Sequence, residues 1–169
     1  MILRTGDIYM IDKELAEKLL KFLRKYLDFY KGFLQLESEK YNDLTCNNIK
    51  SIDERVKAEE VYMLKSRGLE IERDRLVAQT GNPTATFRQL IPMFDSSLQP
   101  QVQAIFDELS QVLLSLKKMN LNCNKLTELK LHRIKNDLKK LKNNPELQKI
   151  YSSKAEEGFA PKSILSRKV

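Results

Sequence analysis

Residues 15–36 read LAEKLLKFLRKYLDFYKGFLQL, and this stretch decides the fold class. Leu15, Leu19, Phe22, Tyr26, Phe29, Phe33 and Leu36 recur at alternating steps of four and three. On an α-helix those steps stack the side chains along one seam, the pattern of a helix packed in a bundle or coiled coil. A second row, Leu20, Leu23, Leu27, Tyr30 and Leu34, widens the apolar face, so this helix is expected to touch two neighbours. It is predicted to run from Asp12 to Leu44, roughly 45 Å at about 1.5 Å per residue. Gly32 inside it costs about 1 kcal/mol relative to Ala, which so much apolar burial offsets.

Proline placement organises the rest. None precedes Pro83 and none lies between Pro100 and Pro145, so two long stretches lack the residue that breaks helices. Asn42 to Asn48 supplies Asn, Asp and Thr, which stop one helix and cap the next. A second helix is predicted from Ile49 to Gln79, ending near Gly81. Ile49, Ile52, Val56 and Met63 begin its stripe, and Glu59, Ser66 and Arg73 interrupt it. It should be the most exposed of the long helices, held partly by pairs such as Glu70 with Arg73.

Thr80 to Pro100 is a connector that must bend. Thr84 to Ile91 reads as a short helix stopped by Pro92, and Phe87, Leu90, Ile91, Met93 and Phe94 are apolar enough to cap the end of a bundle. Pro100 suits the first position of a third long helix. Val102, Ile105, Leu109, Val112, Leu116, Met119, Cys123 and Leu126 continue the four-three spacing there. Beyond Leu126 the seam positions become Lys130 and Arg133, while Leu131, Ile134, Leu138 and Leu141 form a displaced row. A row that shifts in this way no longer faces the same partner. The fold class is therefore all-α: an elongated antiparallel bundle or coiled coil of three long helices with a short connector helix. Residues 1–145 are expected to form the bundle domain and 146–169 a flexible tail that folds on binding.

Composition narrows the function. Of 169 residues, 41% are hydrophobic and 31% charged, with no Trp and one His. Cys46 and Cys123 lack the spacing of a metal or redox site and are read as reduced thiols in a reducing compartment. Asp7, Asp12 and Glu14 break any signal-peptide core near the N-terminus. No apolar run approaches the roughly 20 residues that a membrane span needs, so no membrane insertion and a cytoplasmic location are expected.

No Gly-rich phosphate loop or nucleophile elbow is present, and no catalytic residue, cofactor or metal site is expected. Acidic pairs such as Glu59-Glu60 and Glu156-Glu157 read as solvated surface. His132 stands among Lys130, Arg133 and Lys135, without the further ligands that zinc requires. Residues 117–169 carry 14 Lys/Arg against 5 Asp/Glu, whereas 1–116 carry 16 against 18. That basic third admits a nucleic-acid binder. Yet lysine outnumbers arginine twelve to two there, and no aromatic side chain interleaves before Tyr151. Sequence readers favour the bidentate guanidinium and single-strand binders need stacking rings, so nucleic acid is the lesser reading.

The displaced row differs from the other apolar rows, because no later segment remains to cover it. Exposed apolar surface rimmed by charge marks a protein-binding site. Leu131, Ile134, Leu138 and Leu141, with Ile150 and Tyr151 of the tail, are therefore the candidate partner-binding residues. Self-association, as in a structural coiled-coil subunit, would bury the same row.

The order of elements, with Leu69-Glu70-Ile71-Glu72-Arg73-Asp74-Arg75-Leu76-Val77 ahead of Gly81 and Asn120, Asn122 and Asn124 ahead of Leu126, resembles the FlgN family of flagellar export chaperones. The resemblance extends over Leu15 to Leu141. It implies an antiparallel helical chaperone that binds hook-filament junction proteins of the FlgK and FlgL type. Such a chaperone prevents their premature assembly and hands them to the flagellar type III export apparatus. The family's client contacts lie towards the C-terminus, which maps here to Leu131–Leu141 and the tail. ATP, metal and catalytic residues play no part in that activity.

Overall fold

The protein is described from a computed structural model covering residues 3–5, 8–144 and 149. Its long elements are α1 (Lys13–Cys46), α2 (Ile49–Ala78) and α4 (Gln99–Lys142), with a one-turn helix α3 (Phe87–Leu90) and a 3-10 turn (Ile91–Met93) in the connector. The all-α class therefore holds. One addition escapes the hydrophobic pattern: β1 (Leu3–Thr5) and β2 (Ile8–Met10) pair antiparallel, with Leu3 opposite Met10. The next residue joins this ribbon to the connector, its amide Ile11 N donating to Met93 O at 2.8 Å.

Local chemistry sets each boundary. Asp12 caps α1, its Oδ1 accepting from Leu15 N at 2.8 Å. The carboxylate is held below the usual aspartate range chiefly by that backbone amide. Asn47 ends the helix in the left-handed region (φ 57°), where asparagine is tolerated better than most residues. Its neighbour Asn48 caps α2 by accepting from Ser51 N. The α1–α2 turn thus takes two adjacent asparagines, one to stop and one to start. Past Ala78 the chain tightens through Thr80 N and Gly81 N onto the carbonyls of Val77 and Ala78, and Gly81 turns out at φ 84°.

In the connector, Thr86 and Gln89 form a capping box around α3. The short α-helix ends at Leu90, ahead of Pro92 as expected. Pro92 itself occupies the second position of the 3-10 turn that follows, where a missing N–H costs little. Pro100 likewise occupies the second rather than the first position of α4, which begins at Gln99.

The chain divides into two units, Met1–Leu126 and Thr127–Val169. The first holds the core. Leu15, Ala16, Leu19, Phe22, Leu23, Tyr26 and Leu27 of α1 pack with Leu69 and Val77 of α2 and with Val102 and Leu109 of α4. Phe87, Leu90, Ile91 and Phe94 of the connector close this cluster. Both apolar rows of α1 are therefore used, as a helix with two neighbours requires. Phe29 is the exception on the seam. It is half-buried, its ring tilted against Tyr62 with centroids 5.3 Å apart.

Helix direction follows from cross-helix pairs. Lys31 meets Glu108 and Glu37 meets Asn120, so α4 runs parallel to α1. The tight hairpin makes α2 antiparallel to both. The second unit contains the end of α4. Residues 146–169, including Ile150 and Tyr151, lie outside the described residues apart from Lys149.

Candidate functional site

The three-four pattern predicts a side of α4 without a cover beyond Leu126, and there the side chains emerge. Leu131, Ile134 and Leu138 are 50%, 54% and 51% exposed, and Leu141 is half-buried. Steps of three, four and three place the four on one face of the helix. Lys135, Lys139 and Lys142 surround Leu138, with His132 and Asn136, in a shallow hollow of about 320 Å³. Asn136 Nδ2 lies 3.0 Å from His132 Nε2, which accounts for the single histidine. Among the described residues no group of three or more His, Cys, Asp or Glu could hold a metal ion. An apolar ridge with cationic edges can bury itself against another helix, and its lysines can meet acids at the rim.

The orientation of α2 brings out a second surface that sequence reasoning missed. Arg55, Glu59, Tyr62, Ser66, Leu69, Arg73 and Leu76 form a row turned inward at four-three spacing, with Val77 buried beside its end. Glu59, Ser66 and Arg73, read as interruptions of a stripe, are thus members of the seam itself. Of the four read as its beginning, Ile49, Val56 and Met63 are exposed instead, and Ile52 is half-buried. The reason is polar pairing across the helices. Lys40 Nζ of α1 lies 2.7 Å from Glu37 Oε1 and 2.6 Å from Glu59 Oε2. Arg55 pairs with Glu39 and Asp43. Tyr26 of α1 donates to Glu70, and Glu70 also pairs with Arg73. Once those partners are satisfied, the register of α2 is fixed, and Val56, Met63 and Leu64 face out.

They line a cleft of about 750 Å³ between α2 and α4. Val56, Met63 and Leu64 form one wall, Leu113 and Leu116 the other, with Phe33 of α1 between them. Glu59, Glu60, Arg67, Lys117 and Asn120 complete the lining. The legible signal was the mismatch itself, since Val56 and Met63 do not share a row with Tyr62 and Leu69.

Behind one end of the cleft lies a buried polar group. The Glu37 side chain is 0% exposed. Asn120 Nδ2 donates to its carboxylate at 3.4 Å, and Cys123 Sγ donates to its backbone oxygen at 3.6 Å. Burial alone would depress Lys40, but the hydrogen bonds to Glu37 and Glu59 outweigh it and hold the ammonium above its ordinary range. Burial, with the Glu37 charge beside it, pushes the Cys123 thiol up to about 11. Both effects favour a fixed structural role. Two carboxylates held against one buried ammonium, with a protonated thiol, offer neither a free base nor a nucleophile.

A family model described as FlgN protein matches residues 10–158. The chain belongs to the FlgN family. FlgN proteins are flagellar export chaperones, a chaperone family rather than an enzyme family. No curated protein and no solved structure matches the chain. The FlgN match spans both surfaces, the α2–α4 cleft and the row at Leu131–Leu141. None of the helices among the described residues is long and apolar enough to cross a membrane.

Proposed function

We propose that this FlgN-family chain acts in the cytoplasm as the chaperone of hook-filament junction proteins of the FlgK and FlgL type. It covers a terminal helix of the client, blocks its premature assembly, and delivers it to the flagellar type III export apparatus. The observation that carries the reading is the half-exposed row Leu131, Ile134 and Leu138, on a helix with no further described element to cover it. Leu141 continues the row, and Ile150 and Tyr151 extend the proposed contact into the tail. A client's amphipathic helix gains by laying its own apolar face on that row, and apolar burial supplies most of the affinity. The family's general role in flagellar export agrees with this assignment.

Calorimetry against a purified junction protein tests it. The full chain should bind, and Ile134→Asp with Leu138→Asp should abolish the heat of binding. A truncation after Lys130 should do the same, because the core cluster lies wholly before that point. Salt should weaken the complex only modestly. Equal binding by the truncated form places the client elsewhere. Affinity for DNA or RNA alone, collapsing with salt, overturns the chaperone role.

A further inference from the structure

A chain of polar side chains crosses all three long helices. Asn124 Nδ2 of α4 donates to Asn120 Oδ1 at 3.2 Å, and Asn120 Nδ2 donates to Glu37 Oε2 of α1 at 3.4 Å. Lys40 Nζ donates to Glu37 Oε1 at 2.7 Å and to Glu59 Oε2 of α2 at 2.6 Å. The Glu37 side chain is wholly buried, so each of its oxygens needs its partner. The chain also has a direction. Asn124 takes the Asn120 oxygen and so turns the amide nitrogen towards the carboxylate.

The apolar seam alone holds α4 loosely. The helix has 44 residues and buries Val102, Leu109 and Cys123, and the cleft opens along the stretch that carries Leu113, Leu116 and Lys117. A slide of four residues, about 6 Å, would put Phe106 in the place of Val102 and Leu113 in that of Leu109, apolar for apolar. The polar residues discriminate more sharply. The same slide would set Asn124 against Glu37, with Glu128 in the backing place. A carboxylate there cannot donate to Asn124 Oδ1, and it brings a second negative charge towards Glu37. The opposite slide would set Leu116 against the buried carboxylate, which then lacks a donor.

We infer that Asn120, acting through Glu37 and backed by Asn124, is a positioning residue that fixes the register of α4 on α1. A buried polar contact in an otherwise apolar helix pair sets register at a cost in stability. Two of the asparagines ahead of Leu126 thereby gain a role. One consequence rests on the client reading. Because α4 is continuous from Gln99 to Lys142, whatever fixes its register also fixes how far along the axis Leu131, Ile134 and Leu138 stand. A loose register offers that row at several heights, and the client binds less tightly.

Electron–electron distance measurements on the full chain provide the test. Spin labels go on Lys21→Cys of α1 and Lys118→Cys of α4 in a Cys46→Ser background; both sites are exposed, and the remaining Cys123 is buried. Lys21 stands well before Glu37 along α1, so the labels lie at different heights and a slide of α4 changes their separation directly. The unaltered register should give one narrow distance. Asn120→Leu should broaden it or add a second distance displaced by about 6 Å. Asn124→Ala, at an exposed position away from the core, should do the same. Glu37→Met with Asn120→Leu, in which Lys40 keeps Glu59, should recover the urea midpoint that Asn120→Leu loses and yet keep the broad distribution. A merely structural contact would restore both together. One narrow distance in both asparagine variants overturns the inference, and so does a distribution that narrows again in the apolar pair. Calorimetry with a junction protein, where Asn120→Leu should weaken binding at least threefold, separates this from the client reading. If only the register inference fails, every distance stays narrow and the client still binds. If only the client reading fails, the distances spread as expected and no protein gives heat.

Discussion

The Tyr62 hydroxyl of α2 lies against the bare backbone of Gly32 in α1, where a β-carbon would stand 2.7 Å from the oxygen. The glycine that reads as a helix defect is thus where the Tyr62 side chain reaches the α1 backbone. The Tyr62 ring is held between Phe29 and Phe33, with centroids 5.3 and 5.0 Å away, so it cannot swing aside freely.

Gly32→Ala should therefore destabilise the fold by about 1 kcal/mol, the overpacking exceeding the gain in helix propensity. In a Tyr62→Phe background the nearest ring atom is Cζ at 3.7 Å, an ordinary contact, and the sign should reverse. Urea midpoints of the four proteins check this. An alanine that stabilises the wild-type background would show that the ring yields without cost.

Phe22→Ala should cost on the order of 3–5 kcal/mol, because the ring is buried and stacks on Tyr26 and Phe87. Phe29→Ala should cost clearly less, since that ring is half-buried on the same seam. Equal losses for the two variants would mean that α2 covers Phe29 more completely than described.

Lys40→Met should cost about 3–5 kcal/mol near neutral pH, because it strands the buried Glu37 carboxylate. Adding Glu37→Gln should recover much of that loss. Lys40 is raised above its ordinary 10.5 by its carboxylate partners against the opposing effect of burial. Tyr26 is raised above its ordinary 10.0 by burial first and by Glu70 and Tyr30 next. In both cases the folded state holds its proton more tightly than the unfolded chain. Their stabilisation is complete below about pH 10 and lost as pH rises through the folded values. Denaturation midpoints of the wild type should fall steeply above that pH, and less steeply for Tyr26→Phe. Identical alkaline slopes would remove Tyr26 from the account.

Cys46 is exposed and Cys123 is buried with its thiol pushed up to about 11. A thiol reagent at pH 8 should modify one cysteine rapidly, and the second only after denaturant is added. Rapid modification of both in the native protein would contradict the packing of α4 on α1.

Much of the fold was legible in residues 12–142 because helices announce themselves locally. Asp12 and Asn48 cap the helices they precede, Gly81 turns where a stop was expected, and the eight-residue seam from Val102 to Leu126 faces inward throughout. The displaced row after Leu126 was readable for the same reason, since period alone fixes which side chains share a face. The facing of α2 was not readable. Its seam runs through Glu59, Tyr62, Ser66 and Arg73, and an inward glutamate looks polar until Lys40, nineteen residues away, is known to meet it. Sequence by itself determined where the helices begin and end and which rows are apolar, because caps and periodicity act over a turn or two. Only the tertiary structure decided which of α2's rows is buried and where the cleft opens. Those depend on hydrogen bonds and ion pairs between helices, whose partners are chosen by proximity in space and not along the chain.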